Sequence, residues 1–164
     1  MTKIEIPSTT KIDYRIDEAV DYLIVRQVQV NRNRNPQDAL GVILRHRFLN
    51  DPGVVSTMPR GEGEEVDVHF FKLDLESRGG RISDEELEEK YESHGLVPDP
   101  YAQAAVNEND LSFADYNRNG THWKDGNGRW CSLTFFEFAG ERRMRVFHQG
   151  DHGLNDHWFG GVPK

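Results

Sequence analysis

Two glycine-rich turns, Asp125-Gly126-Asn127-Gly128 and Ala139-Gly140, divide the C-terminal part of the chain into three β-prone runs. This feature constrains the fold more than any other. Residues 121–124, 129–138 and 142–149 are rich in aromatic and β-branched side chains, and turns of this kind join neighbouring antiparallel strands. The expected object is a β-meander. A two-residue turn at Ala139-Gly140 would set its register. Glu137 then faces Arg142, Phe135 faces Met144, Leu133 faces Val146, and Cys131 faces His148. The same parity puts Trp130, Ser132, Thr134 and Phe136 on the opposite face, against Arg143, Arg145 and Phe147. A last short strand is expected around Trp158 and Phe159.

Upstream the pattern turns helical. Ser83-Asp84-Glu85-Glu86 is a capping box, opening a helix that runs to about His94 with Leu87 and Tyr91 inward. Gly95 stops it. Asp99-Pro100 opens another helix, with Tyr101, Ala105 and Val106 facing in. Asp110 opens one more, with Phe113, Ala114 and Tyr116. Earlier, Asn35 and Pro36 start a helix whose stripe is Leu40, Ile43, Leu44 and Phe48, ended by Asn50-Asp51-Pro52-Gly53. Residues 16–30 carry both periodicities. Ile16, Val20, Leu23, Ile24 and Val28 fit a helix, while Val25, Val28 and Val30 are β-prone. Asp17 and Glu18 suit a first turn, so helix is favoured and the two segments read as a helical hairpin. Residues 66–75 read as a strand. Val66, Val68 and Phe70 take one face and Phe71, Leu73 and Leu75 the other, which implies a bulge or burial on both sides. The result is a single α+β domain over residues 1–164. Its N-terminal helices pack on a small antiparallel sheet dominated by the C-terminal meander.

Charge is segregated within a net of -8. Residues 60–116 carry sixteen acidic and five basic side chains, whereas residues 117–148 carry six basic and three acidic. An acidic middle disfavours nonspecific nucleic-acid binding by the whole chain and suits a basic partner or a solvated helix face. The single cysteine, Cys131, cannot close an internal disulfide, which points to a reducing compartment. The N-terminal residues lack the apolar run of a signal peptide, and no stretch has the length of a membrane span. Gly95-Leu96-Val97-Pro98-Asp99-Pro100, Phe113-Ala114 and Thr121-His122-Trp123-Lys124 give residues 95–135 a resemblance to small uncharacterised proteins of phage and bacterial genomes. That resemblance brings no activity with it and implies a cytoplasmic setting.

Four constellations bear on chemistry. His148, His152 and His157, with Asp151, offer three imidazoles and a carboxylate within ten positions, the donor types of a zinc or nonheme iron site. Asp115, Asn117, Asn119 and Gly120 match the first half of a calcium loop, but Gly126 stands where a bidentate Glu is needed. Cys131 beside His148 has the residue types of a thiolate dyad, on a face that otherwise reads as core. Trp123, Trp130, Arg143, Arg145 and Phe147 form a basic aromatic surface suited to a protein partner or to single-stranded nucleic acid. The carboxylates from Asp84 to Glu92 read as an exposed helix face, with no apolar surroundings to tune them for acid–base work. No complete catalytic motif stands out, and whether the chain is an enzyme stays open. The leading expectation is a non-enzymatic protein-interaction module, an accessory or inhibitor protein of unspecified oligomeric state. The alternatives are a metal-binding protein or metal-dependent enzyme using the loop from His148 to His157, and single-stranded nucleic-acid binding through the Trp/Arg face.

Overall fold

The computed structural model describes residues 3–5, 10–13, 22–41, 47–73, 79–148, 151–153 and 157–164. They form an α+β fold on a large mixed sheet. Its strands are β1 (Lys3–Glu5), β2 (Thr10–Asp13), β3 (Tyr22–Gln29), β4 (Arg47–Asn50), β5 (Glu65–Lys72), β7 (Leu96–Val97), β8 (Asn119–Lys124), β9 (Trp130–Phe138), β10 (Glu141–His148) and β12 (Trp158–Pro163). Two further strands, β6 (Arg81–Ser83) and β11 (Asp151–Gly153), pair as a separate ribbon. The helices are α1 (Pro36–Ala39), α2 (Pro52–Val55), α3 (Asp84–Ser93), α4 (Pro100–Asn109) and α5 (Phe113–Tyr116). Across the sheet the order is β1-β2-β3-β5-β12-β8-β9-β10-β4, with β7 pairing to the end of β12. Among the described residues, no helix is long and apolar enough to cross a membrane.

The meander forms with the expected register. Glu137 pairs with Arg142, Phe135 with Met144, Leu133 with Val146, and Cys131 with His148. The turn works because Ala139 and Gly140 both take positive φ, 55° and 78°, and so match the strands' right-handed twist. The sheet is larger and more mixed than a small antiparallel one. β12 runs parallel to β8, and β10 runs parallel to β4.

The N-terminal part contributes strands where a helical hairpin was expected. Residues 22–29 pair antiparallel with β5 along their whole length, from Tyr22–Lys72 to Gln29–Glu65. Here the β-prone alternation prevails because the sheet provides partners that an isolated helix would lack. Residues 14–21, including Asp17 and Glu18, lie outside the described residues. The helix opened by Asn35 and Pro36 is capped as expected, Asn35 accepting from the Asp38 amide, but it ends at Ala39. Phe48 lies in a strand, and Ile43 and Leu44 lie outside the described residues. Ser83 caps α3 and Asp99 caps α4 as expected, whereas Asp51, read as part of a helix stop, caps the short α2, and α5 starts after Ser112 rather than at Asp110.

Alternation along β5 sends Val68 and Phe70 to one core and Phe71 to another, so the strand is buried on both faces. The larger core joins Val68, Phe70, Trp123, Leu133, Met144 and Trp158 to side chains from α1, α2, α4 and α5. The smaller one joins Phe71, Ile82, Leu87, Tyr91, Leu96 and Phe159 under α3. Tyr116, expected to face inward, is 86% exposed.

β12 passes between the cores because two of its residues have no side chain. A Cβ at Gly160 would meet Gln103 Oε1 at 2.6 Å, and one at Gly161 would meet Tyr91 Cε1 and the Val97 carbonyl at 2.9 Å. Tyr91 also donates its hydroxyl to the Gly160 carbonyl at 2.8 Å. The Gly161→Ala substitution should therefore destabilise the protein by about 1–3 kcal/mol through overpacking. Urea unfolding should show a lower midpoint with an unchanged slope. Gly126→Ala, at an open turn position, is the control and should stay within about 0.5 kcal/mol of the parent.

Candidate metal centre

Three segments converge beside α3 on the sheet face that carries the smaller core. The capping box sets the first. Ser83 Oγ accepts from the Glu86 amide at 3.1 Å, which makes Asp84 the first residue of the helix. Asp84 shares a helical face with Leu87, Glu88 and Tyr91 at spacings of three, four and seven, so it enters the interior with the apolar stripe. The second segment is β8. Asn119, Thr121 and Trp123 pair opposite Phe135, Leu133 and Cys131 on the larger-core face, so Gly120 and His122 point to α3. The third is the β6–β11 ribbon. It pairs His152 with Ile82, which sets His152 diagonally across from Asp84.

Asp84 Oδ1 accepts from both rings, from His122 Nδ1 at 2.7 Å and from His152 Nε2 at 2.6 Å. One donor atom from each residue can be chosen so that all three lie within 4.8 Å of one another. The three residues are buried. His122 Nε2 faces Glu88 Oε2 at 3.2 Å, within ion-pair reach. It lies off the line of a well-formed hydrogen bond, so that nitrogen and Asp84 Oδ2 both remain without one. The His122 ring stacks on Trp130 at 4.3 Å between centroids and on Tyr91 at 5.3 Å, which fixes its plane. Trp130 is held in turn by its indole N–H, which donates to Glu85 Oε1 at 3.2 Å.

The charges are mutually set. Burial alone would raise the Asp84 carboxyl, but the hydrogen bonds from His122 and His152 outweigh it and hold the group below its ordinary range. Burial opposes protonation of His122, and the Asp84 and Glu88 carboxylates overcome it and raise the imidazole. His157 also lies on this face. It is buried, stacked on Phe159 at 4.5 Å, with its Nε2 lacking a partner. Burial, followed by the neighbouring charges of His152 and Arg118, pushes it down to about 3, so it is neutral.

The expected metal ligands therefore separate. His152 belongs to the centre and His157 sits beside it, their ring centroids 6.5 Å apart. His148 does not join them. It is on the other face of the sheet, donating through Nδ1 to the Trp130 carbonyl at 3.2 Å, with Cys131 Sγ at 3.6 Å. Loop residues 149, 150 and 154–156 and the Asp151 side chain lie outside the described ones. Asp115, Asn117 and Asn119 form no common cage. Asp115 pairs with Arg142 at 2.9 Å, and the buried Asn119 amide is engaged by Gln103 and Asn107. In the expected binding surface, Trp123 is 5% exposed and donates to Thr57 Oγ1, so it is a core residue. Trp130, Arg143, Arg145 and Phe147 are half-buried on the sheet face that also carries His122.

Asp84 and His122 escaped sequence reasoning. Asp84 looked like one carboxylate of a solvated run. The available signal was its place three and seven residues before Leu87 and Tyr91, on the stripe itself. For His122 the signal was strand parity with Gly120, opposite the core-facing Trp123.

Cys131, His148 and Asp125 form a second group of donor atoms. Their groups are committed elsewhere: Asp125 Oδ1 accepts from the Asn127 and Arg129 amides within its turn, each at 2.9 Å. Burial pushes the Cys131 thiol up, opposite to what a nucleophile needs. Alkylation by iodoacetamide at pH 7.5 should thus be far slower than for a free thiol and should rise only above the usual thiol range. In urea it should reach the rate of an unfolded chain. Fast labelling of the native protein at pH 7.5 would restore the dyad. Neither a protein-family model, nor a curated protein, nor a solved structure matches the chain.

Proposed function

We propose that the chain is a metal-binding protein whose Asp84, His122 and His152 hold one divalent transition-metal ion. The observation that carries this reading is the buried donor cluster itself, with Asp84 Oδ2 lacking a hydrogen-bond partner. Buried polar atoms are normally paired, and an unpaired carboxylate oxygen beside two imidazoles is the donor arrangement of an ion site. Two nitrogens and a carboxylate oxygen suit zinc or ferrous iron, and calcium and magnesium poorly.

Three protein ligands leave coordination positions open, as in metal sites that act on a bound molecule rather than hold a fold together. A bound ion would supply Lewis acidity there. The chain's own residues supply the rest. Glu88 lies against His122 Nε2, where it orients the ring and strengthens it as a donor. Tyr91 and Trp130 fix the ring plane. The Glu88 side chain is 40% exposed and borders the centre on its solvent side. Within the expected interaction surface, Trp123 is buried, which favours this reading over a docking module that needs Trp123 exposed.

Protein purified without an affinity tag and dialysed against zinc should retain one equivalent. At a free zinc concentration a hundred times the dissociation constant, it should gain ~2.7 kcal/mol of stability. Asp84→Asn, which keeps side-chain shape, and His152→Gln, which keeps a polar nitrogen at similar reach, should each abolish uptake while circular dichroism reports a folded chain. Retention of less than about a tenth of an equivalent by the parent would remove the reading. Full retention by both variants would do the same. Glu88→Gln should weaken zinc about 10- to 100-fold, because it orients a ligand without being one. Competition with a chromogenic chelator measures that change.

A further inference from the structure

The sheet face that carries His122 continues away from the metal centre, and the strand registers place its side chains in rows. His122, Ser132 and Phe147 form one row across β8, β9 and β10. Gly120, Thr134 and Arg145 form the next. One step further Arg118 lies over the Phe136 ring, its guanidinium carbon 4.8 Å from the centroid. Arg143 is opposite Phe136 on β10. Three arginines thus share two adjacent rows in a chain whose net charge is -8.

Arg118 differs from three other partly buried arginines. Arg26, Arg32 and Arg34 meet Asp110, Asp99 and Glu108 at 2.7 to 3.1 Å. Among the described residues, Arg118 has no carboxylate partner, and the charge that bears on it is the like charge of Arg145. Two buried polar atoms without hydrogen bonds share this face: Ser132 Oγ, in the row of His122, and His157 Nε2, in the row between His122 and Arg118. His157 Nε2 lies over Gly120, 2.6 Å from where a Cβ would stand, so the missing side chain makes room for the ring. A guanidinium without a carboxylate, a hydroxyl and an imidazole on one face are groups that can hydrogen-bond an oxyanion.

We infer that this shelf is an oxyanion subsite for the ligand of the metal centre, and that the ligand is a small molecule bearing a phosphate-type group. Arg118 binds the anion, Arg145 adds its charge, and Ser132 and His157 donate on the side toward the ion. Four residues of strand separate Arg118 from His122, about 13 Å of backbone. A ligand that touched both Arg118 and the ion would span about that distance, the size of a compact phosphorylated molecule. The link to the ion rests on the metal reading, whereas the anion subsite uses none of the three ligands.

Titration calorimetry of inorganic phosphate into protein held metal-free with a chelator, at ionic strength fixed with chloride, tests the subsite by itself. Saturable one-site binding is expected, weakened at least about tenfold in Arg118→Gln, the loss of one charge-assisted contact. Arg118→Lys should recover part of it, and Ser132→Ala should weaken binding less than Arg118→Gln does. Thermal melting confirms that each variant is folded. Non-saturable heats, or equal affinity in folded Arg118→Gln, would overturn the proposal. Tighter binding of a single-stranded oligonucleotide than of phosphate, with a steep salt dependence, would overturn the small-molecule part in favour of a nucleic-acid strand. Failure of zinc uptake leaves this titration interpretable, so the two readings can fall separately.

Discussion

One carboxylate oxygen, Asp84 Oδ1, ties together the start of α3, strand β8 and the β6–β11 ribbon. An ionised carboxylate without compensation would be expensive in this buried setting, and a lone imidazolium equally so. Each is tolerable because the other is present. Removing one partner would leave an uncompensated buried charge, typically worth about 3–5 kcal/mol. The geometry of the neighbourhood follows from that pairing. The capping box turns Asp84 inward, the ribbon register delivers His152, and the glycine at position 120 makes space for His157. Trp130 and Tyr91 then hold His122 by stacking.

The sheet separates two kinds of histidine chemistry. On the α3 face the rings meet carboxylate and lie beside arginines. On the other face His148 serves the hydrogen bonding at the start of β9, and Cys131 beside it is a core side chain. A two-residue periodicity can set such different environments a few ångströms apart, because successive side chains leave opposite sides of the strand.

Local signals in the chain were legible where their cause is local. Ser83 and Asp99 cap helices because their oxygens reach amides three residues on, and Ala139-Gly140 turns because of its own backbone angles. The meander register followed from that turn alone. Residues 22–29 were not legible in this way, since their β conformation depends on β5, some forty positions away. The same limit hid the site. Asp84, His122 and His152 span 68 positions, and no spacing rule connects them. Their meeting depends on the pairing of β11 with β6 and on the way β8 lies beneath α3. The contiguous loop from His148 to His157 suggested a cluster by proximity in sequence, and the sheet divided it.

β12 occupies the middle of the large sheet, yet it follows every other described strand in sequence. It adds antiparallel to β5 on one side and parallel to β8 on the other. Until residues 158–163 have been synthesised, the strands on either side have no common partner. A nascent chain leaving the ribosome can therefore hold two separate half-sheets, each with an open inner edge, and such edges invite pairing with other chains. His152 and His157 lie within six residues of β12, so completion of the sheet and assembly of the site belong to the same event. The surroundings of Asp84 therefore stay incomplete until residues 151–163 have emerged, and the sheet and the site then close together.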